Sequence, residues 1–319
     1  MIRKTHIAAA LLLGVASTGY AAYPDKPVKI VVPYDPGTGA DILARTLGQQ
    51  LGVVWRTPVV VENRPGASTG IGAAHVQNAN PDGYTLMLVA NTLVLNKSLR
   101  PNASYDPVGG LAPILPVAIG QLTLVTHPSL NVDSVPELIA LARKSPGQVD
   151  YASPGNGTPH HLTMELFKQA TKADLTHVPF SNTGGAVQGL LGGHVKTMFL
   201  PIHVALPHVN NGKLRLLSSG GTHRAEATPA IPSLTEAAGV EVDGDIWYGL
   251  YAPKDTSASV VQKLNADVNA VLRQAEVRAT FERQGLTPTG GTPGNLGELT
   301  RDDLKKWTAV VKAAKIQED

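Results

Sequence analysis

Cysteine is absent from the 319 residues. That excludes disulfides, thiolate metal ligands, a cysteine nucleophile and lipid attachment to a cysteine at a signal-cleavage site. Aromatic residues make up only 5% of the chain, against 32 glycines and 24 prolines, so the composition predicts many short elements joined by turns. Surplus charge is scarce as well. The formal net charge is +2, and both surplus cations, Arg3 and Lys4, fall in the first 21 residues, which leaves the remainder balanced at zero. A neutral chain lacks the basic surface that nucleic-acid binding requires, so no nucleic-acid partner is expected. The longest early apolar run, residues 7–15, is too short to span a bilayer comfortably, and no later run reaches transmembrane length.

What is present begins with that run. Arg3 and Lys4 precede it and Gly19-Tyr20-Ala21 supplies a small-x-small cleavage site, so residues 1–21 read as a secretory signal peptide. The mature chain is then exported and untethered. From residue 28 strand-like and helix-like segments alternate: strands over 28–32, 59–62 and 84–89, helices over 40–51 and 71–79. This predicts a parallel sheet with crossover helices. Residues 114–125, apolar and almost uncharged, suit a first crossing into another lobe. There the alternation restarts, with helices over 135–144, 158–171, 185–191 and 204–210 and strands over 149–152, 175–178, 195–200 and 214–218. A mixed aromatic strand at 245–251 suits the return, and helices over 257–272 and 299–314 pack back on the first lobe. The expected fold class is α/β and two-lobed: residues 22–120 plus 250–319 in lobe 1, residues 121–249 in lobe 2, and two interlobe crossings. Such an arrangement closes by hinge motion, as periplasmic binding proteins do.

In open α/β sheets ligands sit beyond the carboxyl ends of strands, where helices begin. Three turns have the composition for it: the turn from Pro33 to Asp41, the turn from Asn63 to Gly72, and the turn from Ser153 to Leu162. Glycine admits close approach of main-chain N–H groups, and each helix start adds unpaired N–H groups and a partial positive charge. Together such turns hold a carboxylate without lysine or arginine, in keeping with a neutral chain. The same turns also occur for steric reasons alone, with Thr38, Ser68 and Thr158 as plain helix caps. The side-chain donors expected at the site are Tyr34, Thr38, Ser153, Thr158 and His161, supported by main chain at Gly37, Ala40, Gly155 and Asn156. Asp35 is a candidate acceptor for a ligand hydroxyl or amine. Asp41 would repel an anion, so its expected task is to fix the loop or the first helical turn.

These residues also resemble a known family, the solute receptors of tripartite tricarboxylate transporters, often called Bug proteins. Its Pro-aromatic-x-x-Gly-Gly-x-x-Asp turn appears as Pro33-Tyr34-Asp35-Pro36-Gly37-Thr38-Gly39-Ala40-Asp41, with Thr38 in place of the second glycine. The resemblance continues through Asn63-Arg64-Pro65-Gly66-Ala67, Asp82-Gly83-Tyr84-Thr85-Leu86 and Ser153-x-Gly155-x-Gly157-Thr158-x-x-His161-Leu162. It extends to His177-Val178-Pro179-Phe180, Leu190-Leu191-Gly192-Gly193-His194-Val195, Gly212-Lys213-Leu214-Arg215 and Trp247-Tyr248-Gly249-Leu250, over nearly the whole mature chain. The resemblance implies a class II Venus-flytrap receptor in the periplasm, monomeric, without a cofactor or metal. It would bind a small organic carboxylate, such as a di- or tricarboxylate or an aromatic acid, between Tyr34–Asp41 and Ser153–His161, and dock on membrane permease subunits. Relatives often carry acidic residues where this chain has Gln188-Gly189, Lys196 and Leu200. With Leu200 in the cleft, an amino-acid ligand would lose its counter-charge, which points to a non-amino carboxylate.

Two other classes have sequence support. Gly66-Ala67-Ser68-Thr69-Gly70 matches the G-x-S-x-G pattern of serine hydrolases, although residues 63–65 separate it from its strand. A sensor that presents its ligand to a membrane kinase would share the receptor's features. His161 and Glu165 have the i, i+4 spacing of a metal pair, but no third ligand lies nearby in sequence.

Overall fold

The computed structural model describes residues 23–316; the signal peptide expected over residues 1–21 lies outside them. Eleven strands and eleven α-helices follow one another in the described chain. They are β1 (Val28–Val32), α1 (Gly39–Trp55), β2 (Val59–Asn63), α2 (Gly70–Gln77), β3 (Thr85–Ala90), α3 (Thr92–Leu99), β4 (Leu111–Gly120), β5 (Leu122–Thr126), α4 (Val135–Lys144), β6 (Val149–Ser153) and α5 (Pro159–Thr171). Then come β7 (Leu175–Pro179), α6 (Thr183–Leu191), β8 (Thr197–Pro201), α7 (Ile202–Asn210), β9 (Arg215–Leu216), α8 (Leu234–Ala238), β10 (Ile246–Pro253), α9 (Ala258–Leu272), α10 (Ala275–Arg283), β11 (Leu286–Pro288) and α11 (Pro293–Ala314).

The strands form two sheets, ordered β11-β4-β10-β3-β1-β2 and β7-β6-β8-β5-β9. Each is built on a parallel βαβ nucleus, β2-β1-β3 in the first and β7-β6-β8 in the second. Neither sheet is wholly parallel. β10 runs antiparallel to both β3 and β4, and β5 antiparallel to β8, because strands that arrive by crossing between sheets need not follow the right-handed crossover rule of a βαβ unit.

Both faces of each sheet are covered, so neighbouring strand residues enter different cores. Ile30 packs with Leu43, Leu47 and Leu51 of α1, while Val31 joins Ala73, Val76 and Trp307 on the opposite face. The four-residue spacing of Leu43, Leu47 and Leu51 aligns them along one side of α1. In the second sheet Leu124 and Phe199 face a core with Phe167, and Val125 and Met198 face one with Leu190.

Gln121 alone separates β4, in the first sheet, from β5, in the second. The chain returns at β10, whose first residue, Ile246, already pairs with Gly120. Residues 246–249, expected in lobe 2, are thus strand residues of the first sheet. Among the described residues no helix is long and apolar enough to cross a membrane.

Candidate functional site

Four helices begin around one cleft between the sheets. Thr38, Gly39 and Ala40 at the start of α1, Thr92 of α3, Thr158, Pro159 and His160 of α5 and Thr183 of α6 line a cavity of about 340 Å³. Tyr34, Ala90, Pro154, Ile246 and Tyr248 complete the wall, so the lining contains no lysine, arginine, aspartate or glutamate. Among the described residues no acceptor meets the N–H of Gly39, Ala40, His160, Thr183 or Gly184. Each helix start carries a partial charge near +0.5, so the cleft is electropositive without a formal cation.

The local sequence explains how the turns are held. In the first, the carboxylate of Asp41 accepts from the Gly37 N–H at 2.9 Å, from Arg45 Nε at 3.0 Å and from Asn63 Nδ2 at 2.9 Å. Burial opposes its ionisation, but the Arg45, Gly37 and Asn63 hydrogen bonds and the Arg45 charge outweigh it and hold the carboxyl below its usual range. The Asn63 amide also donates to the Tyr34 carbonyl at 3.1 Å. Asn63 and its turn therefore brace the first turn instead of lining the cleft. The Tyr34 hydroxyl accepts from the Ala90 N–H at 3.0 Å and pairs with the Thr92 hydroxyl; burial raises its pKa well above the ordinary value.

In the third turn Thr158 caps α5, its hydroxyl accepting from the His161 N–H and donating to the Gly155 carbonyl at 2.8 Å. Pro159 at the first helical position suits the cap, since the N–H it lacks would have no helical partner. Gly157, at φ +73°, faces the tip of Leu99 so closely that an added Cβ would lie 2.0 Å from its Cδ1. Behind the turn, the Ser153 hydroxyl pairs with His177 Nε2 at 2.6 Å and accepts from the Gly155 N–H at 3.1 Å. His161 Nδ1 accepts from the Gly157 N–H at 3.0 Å, and its ring stacks on His177 with centroids 4.0 Å apart. Burial, then His177 and Lys168, push the His161 pKa down to about 3, so the ring is neutral and keeps its acceptor.

Of the residues expected at the site, Tyr34, Thr38, Ala40 and Thr158 line the cleft. Asp41, Ser153 and His161 lie buried behind the turns as braces. Asp35, Gly37 and Asn156 are exposed on their turns, and Gly155, at φ +123°, is half-buried. Leu200 is fully buried in the second lobe's core with Val125 and Met198. It does not line the cleft, which removes the argument against an amino-acid ligand.

Sequence reading missed His160 and Tyr248. His160 differs from its neighbour only by one helical position, and Tyr248 sits in a strand valued for its crossing. The signal available was alternation: Ile246 and Tyr248 face the cleft, while Asp245 and Trp247 face a separate cavity. Ser68 stands exposed outside the cleft at φ 48°, and no histidine or carboxylate among the described residues bonds to it. Nor does any group of three or more histidines and carboxylates among them form a metal cluster.

A model of the tripartite tricarboxylate transporter family receptor matches residues 41–316. The chain belongs to this receptor family. It is 34% identical to Protein BugT of Bordetella pertussis, over 98% of each chain. Two solved structures share its fold at 28% identity. One is Rpa4515 of R. palustris with adipate, with a TM-score of 0.78 over 92% of this chain and 99% of that one. The other is MatC of Rhodopseudomonas palustris with bound malate, with a TM-score of 0.74 over 91% and 100%. The fold is the two-lobed one of solved periplasmic binding proteins, and the family is one of solute-binding receptors.

Proposed function

We propose that this receptor, exported to the periplasm by its signal peptide, captures a small organic carboxylate and delivers it to the permease subunits of a tripartite tricarboxylate-type transporter. It acts as a monomer and makes or breaks no bond in its ligand. The lobe built on the first sheet, residues 246–249 included, closes on the lobe built on the second, with β10 as the return strand. The observation that carries this reading is the convergence of four helix N-termini on an uncharged cleft. Amides preorganised in this way replace the water around a carboxylate without rearranging. Adipate and malate, found in two similar structures, are small organic carboxylates.

Thr38, Ala40 and Thr158 supply contacts from opposite lobes. Gly37, Gly155, Asn156 and Asp35 approach the ligand as the turns close. Tyr34, Asp41, Ser153 and His161 hold the turns in place. A micromolar complex, about −8 kcal/mol, suffices for capture. Thermal-shift screening followed by calorimetry, with mono-, di-, tri- and aromatic carboxylates beside amino acids and sugars, tests the reading. Stabilisation by carboxylates with recovery of the intact ligand is expected; a response confined to sugars, or consumption of the ligand, overturns it.

A further inference from the structure

Tyr248 and His160 are cleft side chains whose hydrogen-bonding atoms meet no described residue. The hydroxyls of Tyr23, Tyr34, Tyr84, Tyr105, Tyr151 and Tyr251 are all bonded within the protein. That of Tyr248 meets no described residue. It lies beside the first residue of α1, where a Cβ on Gly39 would stand 3.0 Å from it. Across the cleft His160 is nine-tenths buried, and neither ring nitrogen has a hydrogen-bond partner. A buried polar group left unpaired is costly, so the His160 ring calls for a partner, whereas the half-buried Tyr248 presents its hydroxyl to the cleft.

Resting on the receptor reading above, we propose that Tyr248 donates to the ligand carboxylate at the mouth of α1 and that His160 binds an uncharged polar group at the ligand's other end. The ligand class is a monocarboxylate bearing a distal hydroxyl. Burial pushes the Tyr248 phenol up to about 12, so it keeps its proton and remains a donor. Burial also lowers His160 to about 4, leaving a neutral imidazole with one donor and one acceptor nitrogen. A hydroxyl matches either nitrogen, a carboxylate only the N–H, an ammonium only the lone pair. The His160 nitrogens are closed to solvent, and a ligand reaches them by turning the ring, which no hydrogen bond restrains.

The test is calorimetry on the full mature receptor with paired probes: butyrate and 4-hydroxybutyrate, benzoate and 4-hydroxybenzoate, with adipate and malate alongside. The wild type is expected to favour the hydroxylated member of a pair by about tenfold, the worth of one hydrogen bond. His160→Leu binds both members equally, and His160→Asn, which retains a donor and an acceptor, restores the preference. Tyr248→Phe weakens every carboxylate by about tenfold without changing the preference. Circular dichroism confirms that each variant is folded. An undiminished preference in His160→Leu, or tightest binding of the dicarboxylates, overturns this inference alone. Absence of binding to every carboxylate overturns the receptor reading beneath it.

Discussion

At the scale of the residue, Asp41 shows how a charge can hold a turn without lining the cleft. Its carboxylate is spent on Gly37, Arg45 and Asn63, and those bonds hold the turn that carries Thr38 and Ala40 to the cleft. Asp41→Ala leaves the Gly37 N–H and one N–H of the Asn63 amide without their acceptor, and the expected loss of stability is about 2–3 kcal/mol. Urea denaturation measures it; a loss no larger than that of an exposed carboxylate would show that the turn holds itself. This role was legible in the sequence, because a carboxylate beside an anion-binding helix start repels the anion unless it is otherwise engaged. The position of Leu200 was not legible. A residue at the end of a strand enters a core or a cleft according to a one-residue alternation, and the apolar run around Leu200 carries no alternation to read.

At the scale of the element, α5 joins the site to both lobes. Eight of its thirteen residues are buried, and they divide between two cores. Leu162 packs with Trp307 and Val310 of α11, whereas Met164 and Phe167 pack in the second lobe. The Gln169 amide adds a hydrogen bond to the Val310 carbonyl at 3.1 Å. A helix buried on several sides shows no single apolar stripe, so its extent was readable from its cap and its task between lobes was not. The helices α3, α8 and α10, of five to nine residues, also escaped the sequence pattern.

The first turn of α5 also makes stability depend on pH. His160 and His161 are held below the ordinary histidine value, near 4 and 3, with burial as the leading cause. As pH falls below about 6.5 the unfolded chain takes up protons that the folded protein refuses, so stability is complete above that pH and declines below it. The decline is about 2 kcal/mol per histidine at pH 5. His161→Asn keeps an acceptor for the Gly157 N–H and removes one titration. Its unfolding free energy, compared at pH 7.5 and pH 5, should fall by about 2 kcal/mol less than the wild type's; an equal fall would mean that His161 is free to protonate in the fold.

At the scale of the whole molecule, the lobes meet at a joint fastened by Asp245. Its carboxylate accepts from the Leu122 N–H at 3.0 Å and from the Gly221 N–H at 3.1 Å, so the return crossing is tied to the first crossing and to a lobe-2 loop. Burial pushes its pKa up to about 7; the two amides pull it down, Asp243 pushes it up, and Lys306 of α11 pulls it down. His223, Arg224 and Glu226 share the cavity wall with it. The sign is opposite to that of the histidines. The folded protein retains this proton up to about pH 7 whereas the unfolded chain loses it near 4, so Asp245 contributes most at low pH and costs stability as pH rises through that window. The upper limit of this cost is about 4 kcal/mol. Asp245→Asn keeps an acceptor for the amides and removes the charge, so the stability difference, variant minus wild type, should grow in the variant's favour between pH 4.5 and pH 8. Chemical denaturation at both pH values measures this. A difference that stays constant with pH would show that the carboxylate is already ionised across the window, and the joint would then be fastened by a charge instead of by a proton-holding acid.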